Sequence, residues 1–157
     1  MKRLLLPCLA FLLAVIPFAS TAEEISGVEI ADFKAGLMRM EGDWRIVYKE
    51  TTTIPLVVGS KFGVSFHYDN TTGEEVEERT DWYLPGAPKT SISRYEESSF
   101  ENDNTHFTGY FSIPTDGGGS HNDWVEFTEG DPLGTYRLEI RIGGKLFKTV
   151  QFTVVEP

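Results

Sequence analysis

From Thr135 to Ile142 apolar and polar residues alternate without a break, Gly143-Gly144 supplies a turn, and Lys145 to Val155 carries the chain back. Alternation places successive side chains on opposite faces of a strand, and a Gly-Gly pair satisfies the positive φ angles of a two-residue hairpin. The segment predicts two antiparallel strands that bury Tyr136, Leu138, Ile140 and Ile142 with Val150, Phe152 and Val154. Phe147 has the opposite parity from Phe152, so a bulge near Lys148 to Val150 is expected to turn both rings inward.

The same period recurs along the chain, and no stretch repeats apolar residues at helical spacing for more than two turns. Strands are expected at Gly27 to Phe33, at Trp44 to Thr52 with Trp44, Ile46 and Tyr48 on one face, and at Phe62 to Tyr68 with Phe62, Val64, Phe66 and Tyr68 inward. Val76 to Tyr83, Ser91 to Tyr95 and Thr105 to Ile113 follow, with Trp124 to Phe127 extended before a turn at Asp131 to Gly134. Lys34 to Gly42 reads as a short helical turn or an irregular crossing, and Asp116 to Ser120, with its three glycines, as a flexible loop. About seven to nine short strands separated by turn signals predict an all-β antiparallel sandwich, with a closed barrel as the alternative.

The N-terminus has a different character. Lys2-Arg3 precedes an apolar run from Leu4 to Phe18, and Ser20 and Ala22 occupy the small-residue positions of a cleavage site. Residues 1–22 therefore read as a secretory signal peptide, since Pro7 and Pro17 break the run and it is shorter than the roughly 20 apolar residues of a membrane span. Cleavage after Ala22 leaves residues 23–157 as one domain, exported to the periplasm or secreted, without a stable membrane anchor. Cys8, the one cysteine, leaves with the signal, so no disulfide or thiolate chemistry is expected. Loss of Lys2 and Arg3 takes the net charge from −10 to −12, which argues against nucleic acid as a partner.

Thr53-Ile54-Pro55-Leu56, Gly59, Lys61-Phe62-Gly63, Leu84-Pro85-Gly86 and Gly134-Thr135-Tyr136 through Phe152-Thr153-Val154 together resemble a bacterial family known as domain of unknown function 3859. The resemblance spans most of residues 28–155. It implies a small exported Ig-like sandwich and brings no catalytic residue with it, because its motifs are turn prolines, glycines and core aromatics.

His67, His106 and His121 are the imidazoles, and no H-x-H pair or metalloprotease helix motif accompanies them, so no metal is assigned. Glu101 to Asn104, and Asp69-Asn70 with Glu74-Glu75, offer oxygen ligands for calcium without the spacing of a recognised loop. Asn and Asp serve turns equally well. Glu74-Glu75 and Glu77-Glu78 read as a solvated strand edge, and no G-x-S-x-G elbow or cofactor motif is present. Trp82-Tyr83 must divide between two faces of a strand. His121, Asp123 and Trp124 lie close in sequence beside the glycine-rich segment and form the candidate ligand or partner surface.

These features predict a binding or accessory module without a catalytic residue or cofactor, acting on a protein or small-molecule ligand through loops at one end of the sandwich. A carbohydrate-binding or calcium-stabilised surface module is the alternative, and a small hydrolase comes third.

Overall fold

The computed structural model describes residues 22–88, 99–101, 105–115 and 117–157. Residues 1–21 of the segment expected to be a signal peptide, the strand expected at Ser91 to Tyr95, and Asn102 to Asn104 of the first calcium candidate lie outside the described residues. The described chain contains no helix. Eleven strands run in order: β1 (Glu23–Ile25), β2 (Val28–Glu41), β3 (Trp44–Glu50), β4 (Thr53–Pro55), β5 (Lys61–Asn70), β6 (Val76–Tyr83), β7 (Ser99–Glu101), β8 (His106–Ile113), β9 (Gly117–Glu126), β10 (Gly134–Ile142) and β11 (Lys145–Val155). The count exceeds seven to nine because β1, β4 and β7 are three-residue strands on sheet margins.

Two sheets form a sandwich rather than a closed barrel. One has the order β1-β2-β5-β9, with β3 also on β2; the other has the order β4-β11-β10-β6-β8-β7. All pairings are antiparallel except β4 with β11. The inward faces meet as alternation requires: Phe62, Val64, Phe66 and Tyr68 of β5 pack against Tyr136, Leu138, Ile140 and Ile142 of β10 and Val150, Phe152 and Val154 of β11. In the closing hairpin the register steps from Ile140 opposite Lys148 to Arg141 opposite Leu146, which leaves Phe147 as the extra residue. Phe147 is thereby buried together with Phe152, and the bulge sits just before the expected position.

Tyr136 anchors the start of β10. Its ring is buried against Phe62, and its hydroxyl donates to the Pro132 carbonyl at 2.9 Å, closing the turn that carries Asp131. Burial and the nearby Asp131 carboxylate push this phenol's pKa well up.

One expectation fails because pairing here is irregular. Lys34 to Gly42 is neither a helical turn nor an irregular crossing; it belongs to the fourteen-residue β2, which is bulged between Ala31 and Lys34 against β5, while opposite Leu37 and Met38 the partner strand β3 carries an extra residue, Tyr48. Leu37 and Met38 are both buried although adjacent, so across these irregularities the apolar pattern loses its period of two. Gly36 permits this: its φ is 156°, and a Cβ there would meet the Lys49 carbonyl oxygen. Pairing between β2 and β5 ends at Met38 opposite Lys61, whereas β2 and β3 continue to Glu41 opposite Trp44. The end of that hairpin pairs only within itself, and Trp44 there is 68% exposed, while Tyr48 in the β3 bulge is 49% exposed.

Phe66, Leu138 and Phe152 are buried on three central strands. Each replaced by Ala should lower unfolding free energy by about 2–5 kcal/mol in urea denaturation. A loss under about 0.5 kcal/mol, the range of surface substitutions, would contradict the packing.

Candidate functional site

Asp116 to Ser120 is not a flexible loop beyond its first residue, which lies outside the described set. Gly117 begins β9, which pairs with β5 in unbroken register from Gly117 opposite Asn70 to Glu126 opposite Lys61. His121, Asp123 and Trp124 therefore stand on a strand, and its parity separates them. His121 and Asp123 turn inward with Val125, whereas Trp124 turns outward with Ser120 and Asn122.

The inward pair meets two residues of β6. Glu78 and Thr80 share the inward parity of Trp82, so Glu78 is no solvated edge residue; its side chain is 0% exposed. His121 Nε2 lies 3.4 Å from Glu78 Oε1, and the Trp82 indole donates to Asp123 Oδ2 at 3.1 Å. Glu78, Thr80, Gly109, His121 and Asp123 border a void of about 10 Å³. Burial raises the Glu78 pKa well above the usual carboxylate range, and the charge of Asp123 adds to the rise. Burial lowers His121 to about 4. Burial in this interior thus disfavours the charged form of both Glu78 and His121.

A second buried carboxylate lies on the opposite face of β6. Asp81 Oδ1 accepts from Arg79 (2.8 and 3.2 Å) and Thr108 (2.7 Å), with His106 Nε2 at 3.1 Å. Burial alone would raise this carboxyl, but those hydrogen bonds outweigh it and hold Asp81 below its ordinary value. Tyr83 stacks flat on His106 at 4.4 Å and lies beneath Arg137 at 4.0 Å, while Trp82 is fully buried. The pair divides between faces as alternation demands. Asn70 is committed to its turn: Nδ2 donates to the carbonyls of Glu74 and Pro114, and Oδ1 accepts from Thr72. Those bonds build the turn, and Ser112 donates to Glu75. Among the described residues no group of three or more His, Cys, Asp or Glu side chains is placed to hold a metal ion.

A second concavity lies on the outer face of the five-stranded sheet. The β2–β3 arm folds back there, and Arg45 rests over the Trp124 ring at 3.7 Å, with Lys61 at 5.6 Å. Between arm and sheet lies a cleft of about 290 Å³. Asp32, Lys34, Ser65, His67, Ser120 and Asn122 supply its polar lining, and Trp44 through Val47 form its other wall. Ser120 Oγ is 2.7 Å from His67 Nδ1, and Asp32 Oδ2 is 4.0 Å from His67 Nε2. Asp32 has a positive φ of 52° inside the bulge of β2. Sequence reasoning did not find this site, because its residues come from four strands and a bulge brings Asp32 to it. The solvent parity of His67 was the one legible signal.

Residues 33–155 match the family model described as the PM0630 beta sandwich domain. The chain belongs to this family. Among solved structures, an immunoglobulin-like protein from Pseudomonas aeruginosa superposes with a TM-score of 0.60 at 18% identity, covering 83% of this chain and 99% of that one, which supports the Ig-like fold. Part of the alkylpurine DNA glycosylase AlkC from Pseudomonas fluorescens aligns with a TM-score of 0.42 at 11% identity, over 82% of this chain and 30% of that chain. No curated protein matches the chain by sequence.

The interior cluster sets a pH dependence. The raised pKa of Glu78 means its contribution is fully present below about 4.5, its unfolded value, and declines as pH rises toward the folded pKa. His121, lowered to about 4, contributes fully above about 6.5 and loses that contribution as pH falls through 4. Glu78→Gln should therefore raise the melting temperature relative to wild type more at pH 9 than at pH 5. An equal shift at both values would show that Glu78 does not carry a proton in the fold.

Proposed function

We propose that this β-sandwich is an exported binding module that holds a saccharide ring in the cleft beneath the β2–β3 arm. The observation that carries the proposal is the pairing, in one concavity, of an exposed tryptophan wall with a floor of hydroxyl, imidazole, amide, carboxylate and ammonium groups. A sugar presents an apolar ring face and a rim of hydroxyls that both donate and accept. Trp44 supplies the flat apolar surface, and Asp32, Ser65, His67 and Asn122 the rim partners. The volume is near the lower end of the roughly 300–1,000 Å³ typical of small-ligand sites, which suits one or two rings rather than a long chain. This moves the expected surface from loops at the sandwich end to a sheet face, with Trp124 contributing as the support for Arg45. Export follows from the signal-like N-terminus, and the resemblance to the domain-of-unknown-function 3859 family agrees with it.

Titration with maltotetraose, cellotetraose and chitotetraose, followed by amide NMR, should give saturable shifts at Ser65, His67, Ser120 and Asn122 with at least one of the three. Trp44→Ala should weaken that binding at least tenfold, about 1.4 kcal/mol, while leaving the remaining spectrum folded. Absence of saturable shifts with all three would overturn the saccharide reading. Mass spectrometry of protein from the producing cell should show a chain starting at Glu23.

A further inference from the structure

We propose that Ser120, His67 and Asp32 act in the cleft as nucleophile, base and orienting carboxylate, and that they hydrolyse a short-chain carboxylic ester borne on the bound sugar. The substrate class rests on the saccharide reading; the nucleophile does not.

Strand register builds the arrangement. His67 and Ser120 are directly opposed across the β5–β9 pair and both face outward, so their side chains are cross-strand neighbours. The 2.7 Å contact from Ser120 Oγ to His67 Nδ1 is a full hydrogen bond, and the Asp32 carboxylate faces the other ring nitrogen at 4.0 Å. That carboxylate favours a proton on Nε2, which leaves the Nδ1 lone pair to accept from the Ser120 hydroxyl, the tautomer a general base requires. Asp32 reaches this position only because the β2 bulge holds it in the left-handed region. The other two histidines have different surroundings: His106 bonds Asp81, and His121 lies against buried Glu78.

The cleft also supplies charge where a tetrahedral intermediate needs it. Lys34 and Arg45 line it. Asn122 lies two residues from Ser120 on the same face, and its side-chain oxygen is buried without a hydrogen-bond partner.

The step balances without a co-reactant other than water. Ser120 Oγ bonds to the ester carbonyl carbon as its proton passes to His67 Nδ1, and the imidazolium that forms is stabilised by Asp32. The carbon–oxygen bond to the sugar breaks, and the departing oxygen takes the proton from His67. Water then gives a proton to His67 and attacks the acyl-serine; the carboxylic acid leaves and Ser120 recovers its proton.

The test uses residues 23–157 with a fluorophosphonate probe, p-nitrophenyl acetate and glucose pentaacetate. Peptide mapping should place the phosphonate on Ser120, and His67→Gln should reduce labelling at least tenfold. Ser120→Ala should lower p-nitrophenyl acetate turnover at least tenfold. Asp32→Asn, which tolerates the same positive φ, should lower turnover and displace its pH profile. No label at Ser120, or labelling that His67→Gln leaves unchanged, overturns the proposal and reduces the contact to a surface hydrogen bond. If Ser120 is labelled but acetate release from glucose pentaacetate is unaffected by Trp44→Ala, the nucleophile stands and the sugar assignment falls.

Discussion

Phe62 is the point at which the two sheets become one body. It projects from the five-stranded sheet into three rings of the other sheet, Trp82 at 5.9 Å, Tyr136 at 5.6 Å and Phe152 at 5.1 Å, and stacks on Phe127 at 4.8 Å. Three of these contacts are edge-to-face, the geometry in which the positive rim of one ring meets the negative face of another. Residues 23–157 contain no cysteine, so no disulfide can fix the distance between the sheets. Side-chain packing must do it, and each ring pair adds about 0.5–1.5 kcal/mol beyond its buried area. Because β5 carries Phe62 inward and pairs with β9 in unbroken register, this knot also determines where the outward residues of β5 and β9 stand.

The cleft depends on a different device, the failure of β2 to remain regular. A straight β2 would end level with β5. Its bulge instead places Asp32 beside His67, a second bulge follows at Tyr48 of β3, and the hairpin beyond Met38 turns over the outer face until Arg45 meets Trp124. That contact is a cation held at 3.7 Å from an indole centroid, of the kind worth about 0.5–2 kcal/mol depending on its desolvation. It closes the arm on the sheet without filling the space beside it. The arm residues that would be core in a flat sheet become the wall of a ligand-sized space.

This division explains what could be seen in the amino-acid order. Where pairing is regular, alternation specifies both strand and face: β5, β6, β8, β10 and β11 lie close to their expected bounds, and Phe62, Phe66, Leu138 and Phe152 are inward. Where a bulge intervenes, the period is lost, and the second half of β2, Lys34 onward, reads as a helical turn or an irregular crossing. The glycines of β9 misled for a related reason. Gly117 to Gly119 lack the side chains that signal a strand, yet Gly119 lies opposite Tyr68, whose hydroxyl occupies the space a Cβ would need. A large ring on one strand selects glycine on its neighbour, a relation that exists only after pairing. Glu78 was hidden by its company: in the run Glu77-Glu78 only strand parity distinguishes the exposed carboxylate from the buried one.

β9 brings these lines together. Its inward residues put His121 and Asp123 into the interior with Glu78, and its outward residues put Ser120, Asn122 and Trp124 into the cleft. A slip of one residue would exchange the two sets, exposing the interior imidazole and burying Ser120, Asn122 and Trp124 in an apolar core. The cost of burying polar groups without partners is large, so the interior cluster acts as a register lock as well as a buried titrating group. Trp82 supports this role by donating to Asp123 across the sandwich, which accepts β9 only when an acceptor arrives at that height. A hydrogen bond deep between the sheets thus holds Ser120 opposite His67 on the surface, and the geometry of the cleft is inherited from the core beneath it.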